Sequence, residues 1–160
     1  MLEFIQLGNS EIAQELTMIR EQAGKMLAEM APAERIRELM GSPGSLDQEL
    51  WDAAVEQGWP LLSSPEAWGG LGMGISGLAV LAEALGRAAA SLPLIPAFAS
   101  LLLCEASDPD TISGIATDLA IGKKMACLAL AMKGDSGLAL TDSAIELSSG
   151  KLSGSTGSTP

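Results

Sequence analysis

A glycine-rich stretch in the middle of the chain carries the pattern closest to a nucleotide-binding loop. Residues 63–74 read SSPEAWGGLGMG, and Gly72, Gly74 and Gly77 have G-x-G-x-x-G spacing. In dinucleotide-binding folds this loop follows a buried strand, and an acidic residue about twenty positions later holds the ribose. Neither feature is present here. We therefore interpret the stretch as a rigid corner between two helices, with Trp68 packed into it.

Histidine is absent from the chain, and its only two cysteines are Cys104 and Cys127. The lack of histidine excludes Ser-His and Cys-His nucleophiles, histidine-ligated metals and a histidine general base. Both cysteines lie in apolar sequence. We interpret them as buried free thiols in a reducing compartment, with a metal pair or a disulfide as the alternative, and we predict no metal site.

The 160 residues carry a formal net charge of −11, with nine basic residues scattered along the chain. Nucleic-acid binders normally show a basic face, and anionic membranes attract basic surfaces, so both kinds of partner are disfavoured. No signal peptide is visible, and no apolar run reaches the ~20 residues of a spanning helix. We therefore expect a cytoplasmic protein.

Apolar residues at helical spacing dominate the first 120 residues or so. The pattern predicts helices over residues 10–30, 34–40, between Ser45 and Gly58, from Ile75 to Ala89, from near Pro96 to Ala106, and over 111–121. Ser10 is the predicted N-cap of the first helix, and Ser45 with Gln48 forms a capping-box pattern before the third. Gly58 stands where a C-terminal cap belongs. Residues 59–62 form an apolar connector.

After residue 122 the pattern of apolar residues changes from one typical of helices to one typical of strands. Residues 125–132 are a short unbroken apolar run that suits a buried strand, and residues 144–153 have the pattern of a hairpin around Ser149-Gly150. The sequence predicts a mainly α fold, with a helical domain over 1–122. Residues 123–160 are expected to begin a β-domain that is incomplete within this chain, because so few strands do not form a stable sheet alone.

Two neighbouring segments read EQGWPLLSSPEAWGGLGMG and LAVLAEALGRAAASLPLIP. Together they resemble the N-terminal helical domain of acyl-CoA dehydrogenases. The family usually shows P-E-x-[YF]-G-G-x-G followed by a helix with E-E-L-G. Pro65, Glu66 and Gly72 match the first motif, and Trp68 replaces the usual smaller aromatic. The resemblance covers about residues 10–105.

The resemblance implies a three-domain fold of N-terminal helices, a middle β-barrel and a C-terminal helical bundle, with FAD as cofactor. A glutamate of the C-terminal bundle removes the α-proton of an acyl-CoA thioester while the β-hydrogen passes to the flavin as hydride. We therefore assign no catalytic residue in this chain. The segment MACLALAMKGDSG resembles the first strand of the barrel, which places Leu130, Ala131 and Ser136 at flavin-contacting positions. Ala131 replaces a hydroxyl-bearing residue, so FAD binding by the chain alone is doubtful.

The apolar helix after Pro93 is the expected lining of the acyl pocket, with Ala97, Ser100 and Leu101 as candidates. Plain core packing is the alternative for each of them. Within the second motif, Glu83 could act as a base in principle. An ion pair with Arg87, four residues later on the same helix face, is the expected role.

Two functions follow from the resemblance. The first is an acyl-CoA dehydrogenase-like subunit or fragment whose complete enzyme oxidises an acyl-CoA with FAD. The alternative is a non-catalytic helical domain that keeps the fold and acts by association. The incomplete sheet would leave an unpaired edge, and such edges recruit partners. We therefore expect a homo-oligomer, or a hetero-oligomer with another dehydrogenase subunit.

Overall fold

The computed structural model describes residues 10–42, 46–105, 109–126 and 145–154. These residues form the helices α1 (Ser10–Met30), α2 (Ala33–Met40), α3 (Gln48–Glu56), α4 (Trp59–Ser63), α5 (Gly74–Ala88), α6 (Leu94–Glu105) and α7 (Pro109–Ala120), a 3-10 turn (Glu66–Trp68), and the strands β1 (Ile145–Ser148) and β2 (Lys151–Gly154). The chain divides into two compact units, Met1–Ala126 and Cys127–Pro160. The mainly α fold is confirmed. The assignment of residues 123–160 to a β-domain stays a prediction.

Helix α1 packs along α5, and this is the most extensive contact between two of the described elements. The spacing of the apolar residues predicted both helices, and in the structure their inward faces bury Ala23 and Leu27 of α1 against Leu81 and Leu85 of α5. Trp51 of α3 completes the same cluster from the side. Burial of apolar surface of this kind is the main favourable term in folding, so this cluster is the core of the unit.

The start of α3 differs from the predicted capping box. The helix begins at Gln48, and its N-cap is Asp47, whose carboxylate accepts a hydrogen bond from the amide of Leu50 at 3.2 Å. The prediction of Ser45 as the cap, with Gln48 closing the box, was therefore wrong. Asp47 takes the role because its carboxylate also accepts two hydrogen bonds from Arg35 of α2, at 2.9 and 3.2 Å. The N-cap role of Ser10 stays a prediction, because the residues before it lie outside the described part of the chain.

Residues 59–62 are helical and not a connector, since they belong to α4. The prediction missed this helix because it is one turn long and contains a proline. Pro60 is tolerated there because the first residues of a helix need no backbone donor. The predicted cap at Gly58 is confirmed, because this residue adopts the left-handed conformation, with φ of 73°, between α3 and α4.

A second, smaller cluster joins α6 to α7. Leu101 of α6 packs with Ala116, Leu119 and Ala120 of α7, and all four are buried. Helices α5 and α6 are also in contact, so the two clusters belong to one helical unit. Among the helices that the structure describes, none is long and apolar enough to cross a membrane.

The described part of the second unit is the predicted hairpin. Strands β1 and β2 pair antiparallel, with Ser148 opposite Lys151 and Ile145 opposite Gly154. The turn residues Ser149 and Gly150 have φ of 51° and 74°. Positive φ at both positions is the signature of the two-residue turn whose twist matches that of the strands. Of the predicted strand over residues 125–132, residues 127–132 lie outside the described part of the chain.

The Arg35–Asp47 pair predicts a pH-dependent stability. The hydrogen bond from Arg35, supported by the amide of Leu50, lowers the pKa of the Asp47 carboxyl from its ordinary value. A lowered pKa stabilises the fold above the pKa of the unfolded chain, and this contribution disappears as pH falls through the folded value. We expect Asp47→Asn to lower the free energy of unfolding by about 1–2 kcal/mol at pH 7, a difference that shrinks below about pH 5.

Chemical denaturation of both proteins between pH 3 and pH 7 measures this difference. Glu49→Gln is the matched control, because Glu49 also contacts Arg35 at 3.1 Å but its side chain is 78% exposed. A difference between the native protein and Asp47→Asn that stayed constant with pH would show that the ionised carboxylate is not what stabilises the start of α3.

Candidate functional site

The glycine-rich stretch forms a corner that is tied to α4 by its own backbone. The amide of Leu71 donates to the carbonyl of Leu61 at 2.8 Å, that of Gly72 to Ser64 at 2.9 Å, and that of Met73 to Leu62 at 2.9 Å. Three successive amides thus bond to carbonyls at the end of α4, where the regular pattern of helical hydrogen bonds runs out. These bonds set the direction in which α5 leaves the corner.

Gly70 allows this close approach. A Cβ at residue 70 would overlap the carbonyl group of Ser64, which is backbone and cannot move aside. Ser64 is completely buried, and its hydroxyl donates to the carbonyl of Pro60 at 2.7 Å. The corner therefore admits only glycine at this position. The sequence indicated a tight turn but not which of its glycines meets another backbone.

The same hydrogen bonds bear on the nucleotide-binding pattern. A phosphate cradle needs backbone amides that point at the ligand. Here the amides of Gly70 and Gly72, together with those of Leu71 and Met73, donate to carbonyls of this chain. The residues before the corner form α4 and a 3-10 turn and not a strand. The interpretation of the stretch as a corner between helices is therefore supported.

Trp68 joins the corner to the cluster between α6 and α7. Its half-buried ring packs against the cluster that contains Leu101, Ala116 and Leu119. A tryptophan in such a position adds a large contact area with few rotatable bonds. The corner is thus fixed on one side by backbone hydrogen bonds to α4 and on the other by this ring.

Helix α6 carries the predicted pocket residues, and the structure places two of them in the interior. Ala97 is 4% exposed and Leu101 is 2% exposed. Among the α6 side chains that the structure describes, the large apolar ones that reach the surface are Ile95, 59% exposed, and Leu102, 38% exposed. The side chain of Ser100 is outside the described part, as are the flavin-contact candidates Leu130, Ala131 and Ser136. The pocket assignment of Ala97, Ser100 and Leu101 stays a prediction.

Glu83 forms the ion pair expected from its spacing, and a second one that the spacing did not predict. Its carboxylate accepts from Arg87 at 2.9 and 3.1 Å, and from Arg20 of α1 at 3.3 Å. The Arg87 hydrogen bond, with the charge of Arg20, lowers the pKa of the Glu83 carboxyl. A carboxylate held ionised by two guanidinium groups is a weak base, which favours the structural role.

The comparisons with known proteins agree with this geometry. The family described as "Acyl-CoA dehydrogenase, N-terminal domain" matches residues 13–107. The chain belongs to the acyl-CoA dehydrogenase family. A relative, the acyl-CoA dehydrogenase IpdE2 of Mycobacterium tuberculosis, is 34% identical over 119 residues, which are 73% of this chain and 37% of the relative.

Two solved structures share the fold of this acyl-CoA dehydrogenase domain. One is a variant of the Tcur3481–Tcur3483 steroid ACAD, with a TM-score of 0.70 and 28% identity over 77% of this chain and 34% of that one. The other is the ChsE4–ChsE5 complex of Mycobacterium tuberculosis, with a TM-score of 0.71 and 20% identity over 89% of this chain and 37% of that one. The chain thus spans a little over a third of the length of these relatives.

Members of the acyl-CoA dehydrogenase family use FAD. In the glycine corner, the amides of residues 70 to 73 are bonded within the chain, so these four amides offer no donor to a phosphate. The family-derived contact positions, Leu130, Ala131 and Ser136, lie outside the described residues. We therefore derive no step of a reaction through FAD from this structure.

The close approach at Gly70 predicts a large effect of a single methyl group. Gly70→Ala is expected to lower the free energy of unfolding by about 2–4 kcal/mol, because the new Cβ overlaps the backbone of Ser64. Gly86→Ala is the control. Gly86 is an exposed residue of α5 with no atom within 4 Å of an added Cβ. It should raise stability by about 0.5–1 kcal/mol, since alanine is the better helix former. Equal stabilities of the two variants in urea would contradict the close approach.

The burial of α6 predicts which of two adjacent leucines holds the helix in place. Leu101→Ala should cost about 2–4 kcal/mol, because Leu101 fills the space between α6 and α7. Leu102→Ala should cost less than about 1 kcal/mol, because its side chain reaches the surface. Thermal unfolding followed by circular dichroism measures both. A small loss for Leu101→Ala would instead favour its place in the predicted pocket.

Proposed function

We propose that this chain supplies the N-terminal helical domain of an acyl-CoA dehydrogenase. In the complete enzyme, FAD-dependent α,β-dehydrogenation of an acyl-CoA thioester would be the reaction. The observation that carries the proposal is the family match over residues 13–107, which includes the glycine corner and its motif. The acyl-CoA substrate and FAD are both proposed from the family.

Within that enzyme the helical domain would form a wall of the acyl pocket. The proposed lining comes from α6, where Ala97, Ser100 and Leu101 are the pocket residues that the sequence predicts. The exposure of Ile95 and Leu102 adds these two side chains, because a surface that is free in the domain alone can meet a substrate or another domain. A steroid-derived acyl group is suggested by one similar structure, which is that of a steroid ACAD.

The proposed partner is a second dehydrogenase subunit. Both similar structures are named for two proteins, Tcur3481 with Tcur3483 and ChsE4 with ChsE5. This supports a hetero-oligomer over a homo-oligomer. The alternative function, a non-catalytic helical domain that acts by association, predicts the same partner but no contribution to catalysis.

A domain exchange separates the two functions. The segment of IpdE2 that aligns with this chain over 119 residues would be replaced by the corresponding segment of this chain. If the chain is a working acyl-CoA dehydrogenase domain, the chimera should bind FAD and keep acyl-CoA-dependent dye reduction within roughly tenfold of the parent, because the pocket wall is preserved. The Gly86→Ala chimera is the control and should remain equally active.

Two other results would decide against the catalytic role. A chimera that binds FAD and unfolds cooperatively but gives no acyl-CoA-dependent turnover would favour the non-catalytic domain. Light scattering on the 160-residue chain addresses association: a monodisperse particle of 16.4 kDa would count against self-association. If the chain forms a hetero-oligomer instead, the measured mass should rise only when the second subunit is added.

A further inference from the structure

A groove of about 400 Å³ lies between α1 and α5. Its lining is apolar except for three charged side chains, those of Arg20, Glu83 and Arg87. The volume falls within the ~300–1,000 Å³ typical of small-molecule sites. The groove thus combines an apolar floor with charge at its edge.

The groove exists because the facing residues of the two helices are small. Its lining includes Gly24 and Ala28 of α1 and Ala84 and Ala88 of α5. No atom lies within 4 Å of the place where a Cβ of Gly24 would be. The space above Gly24 is therefore open, although Leu27 beside it is buried in the core.

The charges at the groove do not balance. Glu83 is the single carboxylate, and it accepts from both Arg20 and Arg87, at 3.3 and 2.9 Å. One negative charge between two positive charges leaves a net charge of +1, in a chain whose formal net charge is −11. Arg20 uses only its Nε in this network. Its terminal nitrogens remain as donors for an anion, and a guanidinium group binds carboxylates well.

We propose that the α1–α5 groove binds a small amphiphilic anion, with a carboxylate head on Arg20 and Arg87 and an alkyl tail against Ala28 and Ala88. The two arginines complement the carboxylate of such a molecule, and the apolar floor of the groove complements its alkyl tail. The two guanidinium groups at one end of the groove favour a molecule with a single anionic head over a docked helix, whose contacts with a groove are mainly apolar.

The probe for this site is octanoate, titrated calorimetrically into the 160-residue chain. We expect a dissociation constant of about 1 mM, the range for a ligand of roughly ten heavy atoms. 1-Octanol lacks the charge and acetate lacks the tail, so each should bind at least about tenfold more weakly. Equal binding of octanoate and octanol would overturn the role of the two arginines.

Two glycine variants test the location. Gly24→Leu places a side chain in the open space above Gly24, and it should weaken octanoate binding at least about tenfold. Gly86→Leu is the matched control, because Gly86 is an exposed helical glycine outside the groove with equally open space. It should leave the affinity within about twofold. Matching unfolding temperatures establish that both variants are folded.

An arginine variant tests the head group. Arg87→Gln should weaken octanoate binding about tenfold, because a charge-assisted hydrogen bond to the carboxylate is lost. The affinity for octanol should not change. The proposal is overturned if octanoate gives no heat of binding or if the two glycine variants lose affinity equally. It is also overturned if Gly24→Leu reduces the oligomeric mass while octanoate does not bind, since the groove would then be a protein interface.

Discussion

The carbonyl of Ser64 lies where a side chain at residue 70 would have to be, and the arrangement of the helices depends on this contact. Because the two backbones touch, the amides of residues 71 to 73 reach the end of α4 and bond to it. These bonds fix how α5 leaves the corner. Helix α1 packs along α5, and α6 also contacts it, so a displacement at Gly70 would be transmitted to the whole helical unit.

In this corner, the residues that identify the family have structural roles, and residues for catalysis or ligand binding have to be sought elsewhere. The motif glycines and Trp68 give the acyl-CoA dehydrogenase signature, yet their amides and ring are occupied in holding helices together. An amide that is already bonded within the chain is not available as a donor to a ligand. Chemistry of the family type would have to involve other surfaces, such as the exposed side of α6 at Ile95 and Leu102.

The sequence predicted the features that depend on neighbours along the chain and missed those that depend on distant partners. Helical periodicity found α1 and α5, and the i, i+4 rule found Glu83 with Arg87. The pairing of Glu83 with Arg20 spans 63 residues, so no local pattern could predict it. Ser45 failed as a cap for the same reason, since Asp47 was favoured by a salt bridge from another helix. Burial of Ala97 and Leu101 on an all-apolar helix also needed the structure.

The helices of this unit are held by different forces, and this difference bears on where function can be located. Helix α2 buries none of its residues, so Arg35 and its bonds to Asp47 are a principal attachment. Helices α1 and α5 instead share an apolar core, so their packing depends mainly on apolar contacts and less on the charges at their outer edge. The Arg20–Glu83–Arg87 network lies on that edge. Its charges are exposed, so they contribute little to stability and can serve recognition at small cost to the fold.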